Sequence, residues 1–80
     1  MSIREQIVSV LKEIKPNKNL EGITDIVEGA YLDSFEIMNL IVMLTETFGV
    51  EIDFEEITAE NFNSIDAMVS MIERLKKAEV

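Results

Sequence analysis

The stretch Leu32–Val50, LDSFEIMNLIVMLTETFGV, constrains this chain more than any other. Asp33 is a strong helix N-cap residue, and Glu36 three positions on can return its carboxylate to the cap's own N–H, the capping-box pattern. Ile37, Leu40, Ile41, Leu44 and Phe48 then recur at the spacing of one helical face, and Gly49 supplies a left-handed stop. The segment between these two signals is therefore a helix. A second apolar stripe, Phe35, Met38 and Val42, lies on a neighbouring face with Glu36, Asn39, Thr45 and Glu46 around it. A helix apolar on two sides is either deeply buried or keeps one side for a partner, and 80 residues can hardly bury both. The second stripe reads as a docking face. Ser34 falls at the first helical position, where its hydroxyl can point outward beside unpaired N–H donors that, with the helix dipole, favour a phosphate. Ser34 reads as an attachment point.

The rest of the chain supplies a core for that helix. Ile3, Ile7, Val10, Leu11 and Ile14 form one stripe over residues 2–15, with Ser2 and Glu5 as a capping pair and Lys15-Pro16 as the stop. Residues 16–33 form a long connection punctuated by Asn17, Asn19, Gly22 and Gly29. Its apolar residues, among them Leu20, Ile23, Ile26, Tyr31 and Leu32, predict that it is pinned across the core. Val50–Ile57 alternates like a strand but has no partner strand, so it reads as extended loop with one turn near Asp53. Thr58 or Ala59 opens a one-turn helix to Phe62. Asn63 or Ser64 caps a last helix striped by Ile65, Met68, Val69, Ile72 and Leu75, with Arg74, Lys76 and Lys77 suited to its C-terminal dipole. One Pro and three Gly agree with a mostly helical chain. The expected fold is all-α, a small four-helix bundle of three main helices and one short one, with a long first loop, as a single domain over 1–80.

Charge and residue types exclude several function classes. The net charge is −9, and no Lys or Arg lies between Asn19 and Glu73, a span that holds 13 of the 16 acids. Such a field repels nucleic acid and anionic membranes and attracts basic protein surfaces. The longest apolar run, Leu40–Leu44, is far short of a membrane span, and no signal-peptide stretch precedes it, so a cytoplasmic protein is expected. With no His and no Cys, Ser34 has no base to make it a nucleophile, and no thiolate site can form. Carboxylates at 25, 28, 33 and 36 could gather a divalent cation only weakly. They lack the D-x-[DN]-x-[DN]-G loop of an EF-hand, so no metal site is expected. Met38, Met43, Met68 and Met71 are adaptable, and some could line an expandable cavity for an acyl chain, although ordinary core and surface packing is the better account of any one of them.

These residues resemble the acyl carrier proteins and the related peptidyl and D-alanyl carriers. The resemblance is carried by Asp33-Ser34-Phe35-Glu36, by Leu40, Leu44, Glu46, Phe48-Gly49-Val50 and Ile52, and by Asn61-Phe62-Asn63-Ser64-Ile65. It covers roughly residues 3 to 75. It implies a 4′-phosphopantetheine arm, taken from coenzyme A, on Ser34, with Asp33 as the acid beside it and a terminal thiol carrying cargo as a thioester. It also implies a partner face of Phe35, Glu36, Met38, Asn39, Val42 and Glu46, with Glu36 and Glu46 as its acidic rim. The implied partners are a phosphopantetheinyl transferase and acyl- or aminoacyl-loading and synthase enzymes with basic docking patches, approached by a non-catalytic monomer. Fatty acid or polyketide biosynthesis is the leading pathway class. Asn39 and Thr45 stand where the fatty-acid pattern has glutamates, and Glu28–Leu32 looks more like free-standing peptidyl or D-alanyl carriers. An aminoacyl, D-alanyl or peptidyl carrier is thus the alternative. An acidic adaptor that uses the same helix without an arm is the alternative from a different class.

Overall fold

The computed structural model describes residues 1–78, and the last two positions of the 1–80 domain reading lie outside the described residues. The elements are α1 (Ile3–Ile14), α2 (Ser34–Phe48), a 3-10 turn (Phe54–Glu56), α3 (Ala59–Phe62) and α4 (Ile65–Ala78). Among the described residues there is no strand. The alternating Val50–Ile57 stretch is extended chain interrupted by the 3-10 turn, because nothing lies beside it to complete a ladder.

Local sequence accounts for the helix ends. Ser2 Oγ accepts the Glu5 N–H at 3.1 Å and the Ser2 N–H donates to Glu5 Oε1 at 3.0 Å, the reciprocal cap expected for α1. That backbone hydrogen bond, with the Ser2 side chain, holds the Glu5 carboxyl below its usual range. A depressed folded pKa means that the cap's stabilisation is complete above the unfolded carboxylate's range and is lost as pH falls through the lowered value. Gly49 ends α2 in the left-handed conformation, φ 64° and ψ 31°, with its N–H on Thr45 O. At the start of α4 it is Ser64 that caps, accepting the Ala67 N–H at 3.0 Å.

α1 packs against both α2 and α4. Lys15 at the end of α1 meets Glu36 in the first turn of α2 at 3.0 Å, so α1 and α2 run antiparallel. Arg4 pairs with Asp66, and Lys76 sits 5.9 Å from the Phe48 ring centroid. α4 therefore lies across the pair, from the first turn of α1 to the last turn of α2. Ile7, Val10 and Leu11 of α1 meet Leu40, Leu44 and Phe48 of α2 in the core. α4 contributes Ile65, Met68, Met71 and Ile72, all buried, while Val69 and Leu75 are only half-buried. Its buried face is turned toward Met71 from the expected stripe because α4 packs on α3 as well as on α1.

The long first loop is held down as its apolar content predicts. Leu20, Ile26 and Leu32 are buried, and Ile23, Val27 and Tyr31 pack against the core, with Lys18 over the Tyr31 ring. Between Asp25 and Tyr31 the chain makes a tight turn, with the Gly29 N–H on Asp25 O at 2.6 Å and the Tyr31 N–H on Ile26 O at 3.0 Å. Ala30 closes it at a φ of 58°. Gly29 is required there for space. A Cβ at this position would lie 2.7 Å from the Asp25 carbonyl oxygen and 2.9 Å from Tyr31 Cε2. Gly29→Ala should therefore push the turn off its seat and destabilise the fold by about 1–3 kcal/mol, the usual cost of overpacking. A urea midpoint unchanged from wild type would show that the turn absorbs the methyl group without strain.

Candidate functional site

The site is built by the start of α2. Asp33 adopts extended backbone, and its Oδ1 accepts the Glu36 N–H at 2.8 Å. Glu36 Oε1 in turn accepts the Asp33 N–H at 2.9 Å. The first-turn donors that this exchange leaves over are the N–H groups of Ser34 and Phe35, since Ile37 already donates to Asp33 O. Ser34 is exposed at the first helical position, and among the described residues its hydroxyl enters no side-chain hydrogen bond. Asp33 is exposed too, but its carboxylate is engaged with the backbone rather than with Ser34. Nothing in this arrangement activates the hydroxyl, in keeping with a serine acted on by another molecule.

Beside Ser34 runs an apolar groove of about 380 Å³, lined by Ile37, Met38, Ile41, Val42 and Ile57. Phe35, Met38 and Val42 are 73%, 68% and 55% exposed, so the second stripe of α2 is open along its length. Asn39 and Glu46 are exposed on the same helix. Glu36 is different. Both its oxygens are engaged within the chain, Oε1 by the Asp33 N–H and Oε2 by Lys15, and its side chain is only 19% exposed. Capping draws it inward from the rim on which the docking-face reading had set it.

Two neighbours of the site escaped the sequence reading. Ile57 lines the groove from the opposite wall, and Phe54, three residues earlier, is 87% exposed. The signal was the apolar alternation of Val50, Ile52 and Phe54, followed by Ile57 three residues on, which marks an extended segment without saying which of its side chains reach the core. Asn63, read only as a possible cap, is instead a latch on the first loop. Its Oδ1 accepts the N–H groups of Val27 and Glu28 at 3.0 and 3.2 Å, its Nδ2 donates to Glu28 Oε1 at 2.9 Å, and its carbonyl accepts the Ile26 N–H at 2.9 Å.

Met38, Met43, Met68 and Met71 do not share one space. Met68 and Met71 are wholly buried, Met38 lines the groove beside Ser34, and Met43 lines a separate hollow between α1 and α2. Among the described residues no three carboxylates are grouped so as to hold a metal ion, and no helix is long and apolar enough to cross a membrane.

A family model described as "Phosphopantetheine attachment site" matches residues 2–72, nearly the whole chain. The chain belongs to that family. It is a carrier domain of a kind that holds a covalent 4′-phosphopantetheine group and is itself non-catalytic. The all-helical fold and the resemblance to carrier proteins read from the sequence both hold. Two D-alanyl carrier proteins, from two strains of Lactobacillus delbrueckii subsp. bulgaricus, are each 24% identical to this carrier domain over 80 residues, covering 99% of this chain and 100% of theirs. No solved structure matches it. As a carrier domain it works with transferase and synthase enzymes.

Proposed function

We propose that Ser34 carries the arm, through a phosphodiester to its Oγ, and that the domain delivers acyl cargo to enzymes of fatty acid, polyketide or related biosynthesis. The observation that carries this reading is the Ser34 hydroxyl itself, exposed at the first helical position and engaged by no neighbour. Two further features support the fit. The unpaired N–H groups of Ser34 and Phe35 and the positive end of the α2 dipole favour a phosphate at this point. The open groove beside it leaves room for an incoming enzyme. When bound, the arm supplies a terminal thiol for a thioester, a chemistry that this cysteine-free chain has no side chain to perform. Asp33 would act by fixing the helix start, since its carboxylate holds the Glu36 N–H. Phe35, Met38, Asn39 and Val42 would form the partner face, with Glu46 as the free acid on α2.

Incubation with coenzyme A, magnesium and a broad-specificity phosphopantetheinyl transferase, followed by intact-protein mass spectrometry, tests the attachment. A gain of one phosphopantetheine is expected. No gain on the folded protein with several transferases would leave an armless adaptor as the better account of the same face.

A second reading of the cargo is favoured by the full-length similarity to D-alanyl carriers. The surface agrees with it, because Asn39 and Thr45 are neutral and Glu36 is tied to Lys15. A less acidic α2 would recruit a different set of enzymes. If charge selects the partner, Asn39→Glu with Thr45→Glu should raise kcat/KM with fatty acid synthesis enzymes about tenfold, the effect of about 1.4 kcal/mol of added docking energy. No gain would count against electrostatic selection at these two positions.

A further inference from the structure

Phe54 is the most exposed large apolar side chain in the described structure, and the turn that carries it is rigidly built. The Glu56 N–H donates to Asp53 O at 2.8 Å and the Ile57 N–H to Phe54 O at 3.1 Å. Asn61 Nδ2 holds both Glu56 O and Glu56 Oε1, at 2.8 and 3.1 Å, and Arg74 holds Glu56 Oε2 at 2.9 Å. One acid of the turn is thus directed inward as a brace while the ring points out. A turn whose backbone is braced before binding needs little ordering when a partner covers the ring it presents, which favours its use as an interface anchor.

Around the ring in sequence lie Glu51, Asp53, Glu55 and Glu60, all exposed, with no cation between Asn19 and Glu73. A second copy of this chain would bring the same acids against them, and the net charge of −9 makes that contact repulsive. The complementary surface is a protein pocket, apolar at its base and basic at its rim. Ile57, the residue that ends this turn, lines the groove beside Ser34, so the turn borders the surface that an enzyme acting on the Ser34 hydroxyl must cover. We propose that Phe54 is an anchor for the transferase that modifies Ser34, received in an apolar pocket ringed by Lys or Arg. This rests on the reading of Ser34 as the attachment site. It shifts the acidic contribution to docking from Glu36, which is internally bonded, to the acids flanking Phe54.

The test is steady-state transfer of phosphopantetheine from coenzyme A to the full chain by a broad-specificity phosphopantetheinyl transferase. Phe54→Ser should raise KM about tenfold with kcat near wild type, as expected when an anchor that binds ground and transition states equally is removed. Phe54→Leu should keep KM within about threefold of wild type, because the pocket still receives an apolar group. Glu55→Gln with Glu60→Gln should flatten the rise of KM with salt. The ring is solvent-exposed, so thermal melts of these variants should match wild type. A folded Phe54→Ser variant with unchanged KM overturns the anchor while the attachment reading stands. A wild type that takes no arm overturns both.

Discussion

Ser34→Ala should abolish covalent loading by a phosphopantetheinyl transferase while leaving the fold intact. The two consequences separate because the hydroxyl has no structural partner. The helix start is held by the exchange between Asp33 and Glu36, in which Ser34 takes no part. Alanine is a better helix former than serine, and a substitution on an exposed first turn falls within about 0.5 kcal/mol of neutral. Intact-protein mass spectrometry should show one phosphopantetheine on wild type and none on the variant, with thermal midpoints within a few degrees of each other. Loading of the variant would move the attachment to another hydroxyl. Loss of the fold would show that Ser34 has a structural role that the hydrogen-bond pattern does not reveal.

The second large effect should come from a residue far from Ser34 in sequence. Asn63→Ala removes three side-chain hydrogen bonds at once, two of them received from the backbone N–H groups of Val27 and Glu28. The Val27 bond is partly buried, so its N–H loses a partner where water replaces it poorly. Leaving such a donor unsatisfied costs about 1–3 kcal/mol. In a domain of this size each kcal/mol is worth about 4–8 °C in Tm, so a fall of about 10 °C is expected. Asn63→Asp keeps the acceptor but loses the donor to Glu28 and places a second carboxylate beside it. It should fall between wild type and alanine at neutral pH and improve as pH drops into the carboxylate range. A melt for Asn63→Ala equal to wild type would mean that the loop is held by Leu20, Ile26 and Leu32 alone.

The expected outcomes follow from two kinds of feature, and they differ in how far the sequence exposed them. Helix existence, caps and stops were readable because their causes are local. Ser2 with Glu5, and Asp33 with Glu36, close reciprocal hydrogen bonds across one helical turn. Gly49 answers a backbone need that the last turn of α2 creates on its own. The exposed stripe of Phe35, Met38 and Val42 was also readable, because helical periodicity fixes which residues share a face and the chain is too short to cover two.

What the sequence by itself determined is thus the set of helices, the ends of α1 and α2, and the placing of an exposed serine at the head of α2. Interactions over three or four residues are enough to produce all of these. Only the tertiary structure decided how distant segments meet. It selected Ser64 over Asn63 as the cap of α4 and turned Asn63 to the first loop, 36 residues away in sequence at Val27. It drew Glu36 inward onto Lys15, and it set Ile57 against the groove and Phe54 in solvent. Each of these depends on which backbone donors and apolar walls the packing brings within reach, and a periodic pattern along one segment carries no record of its neighbours across the core.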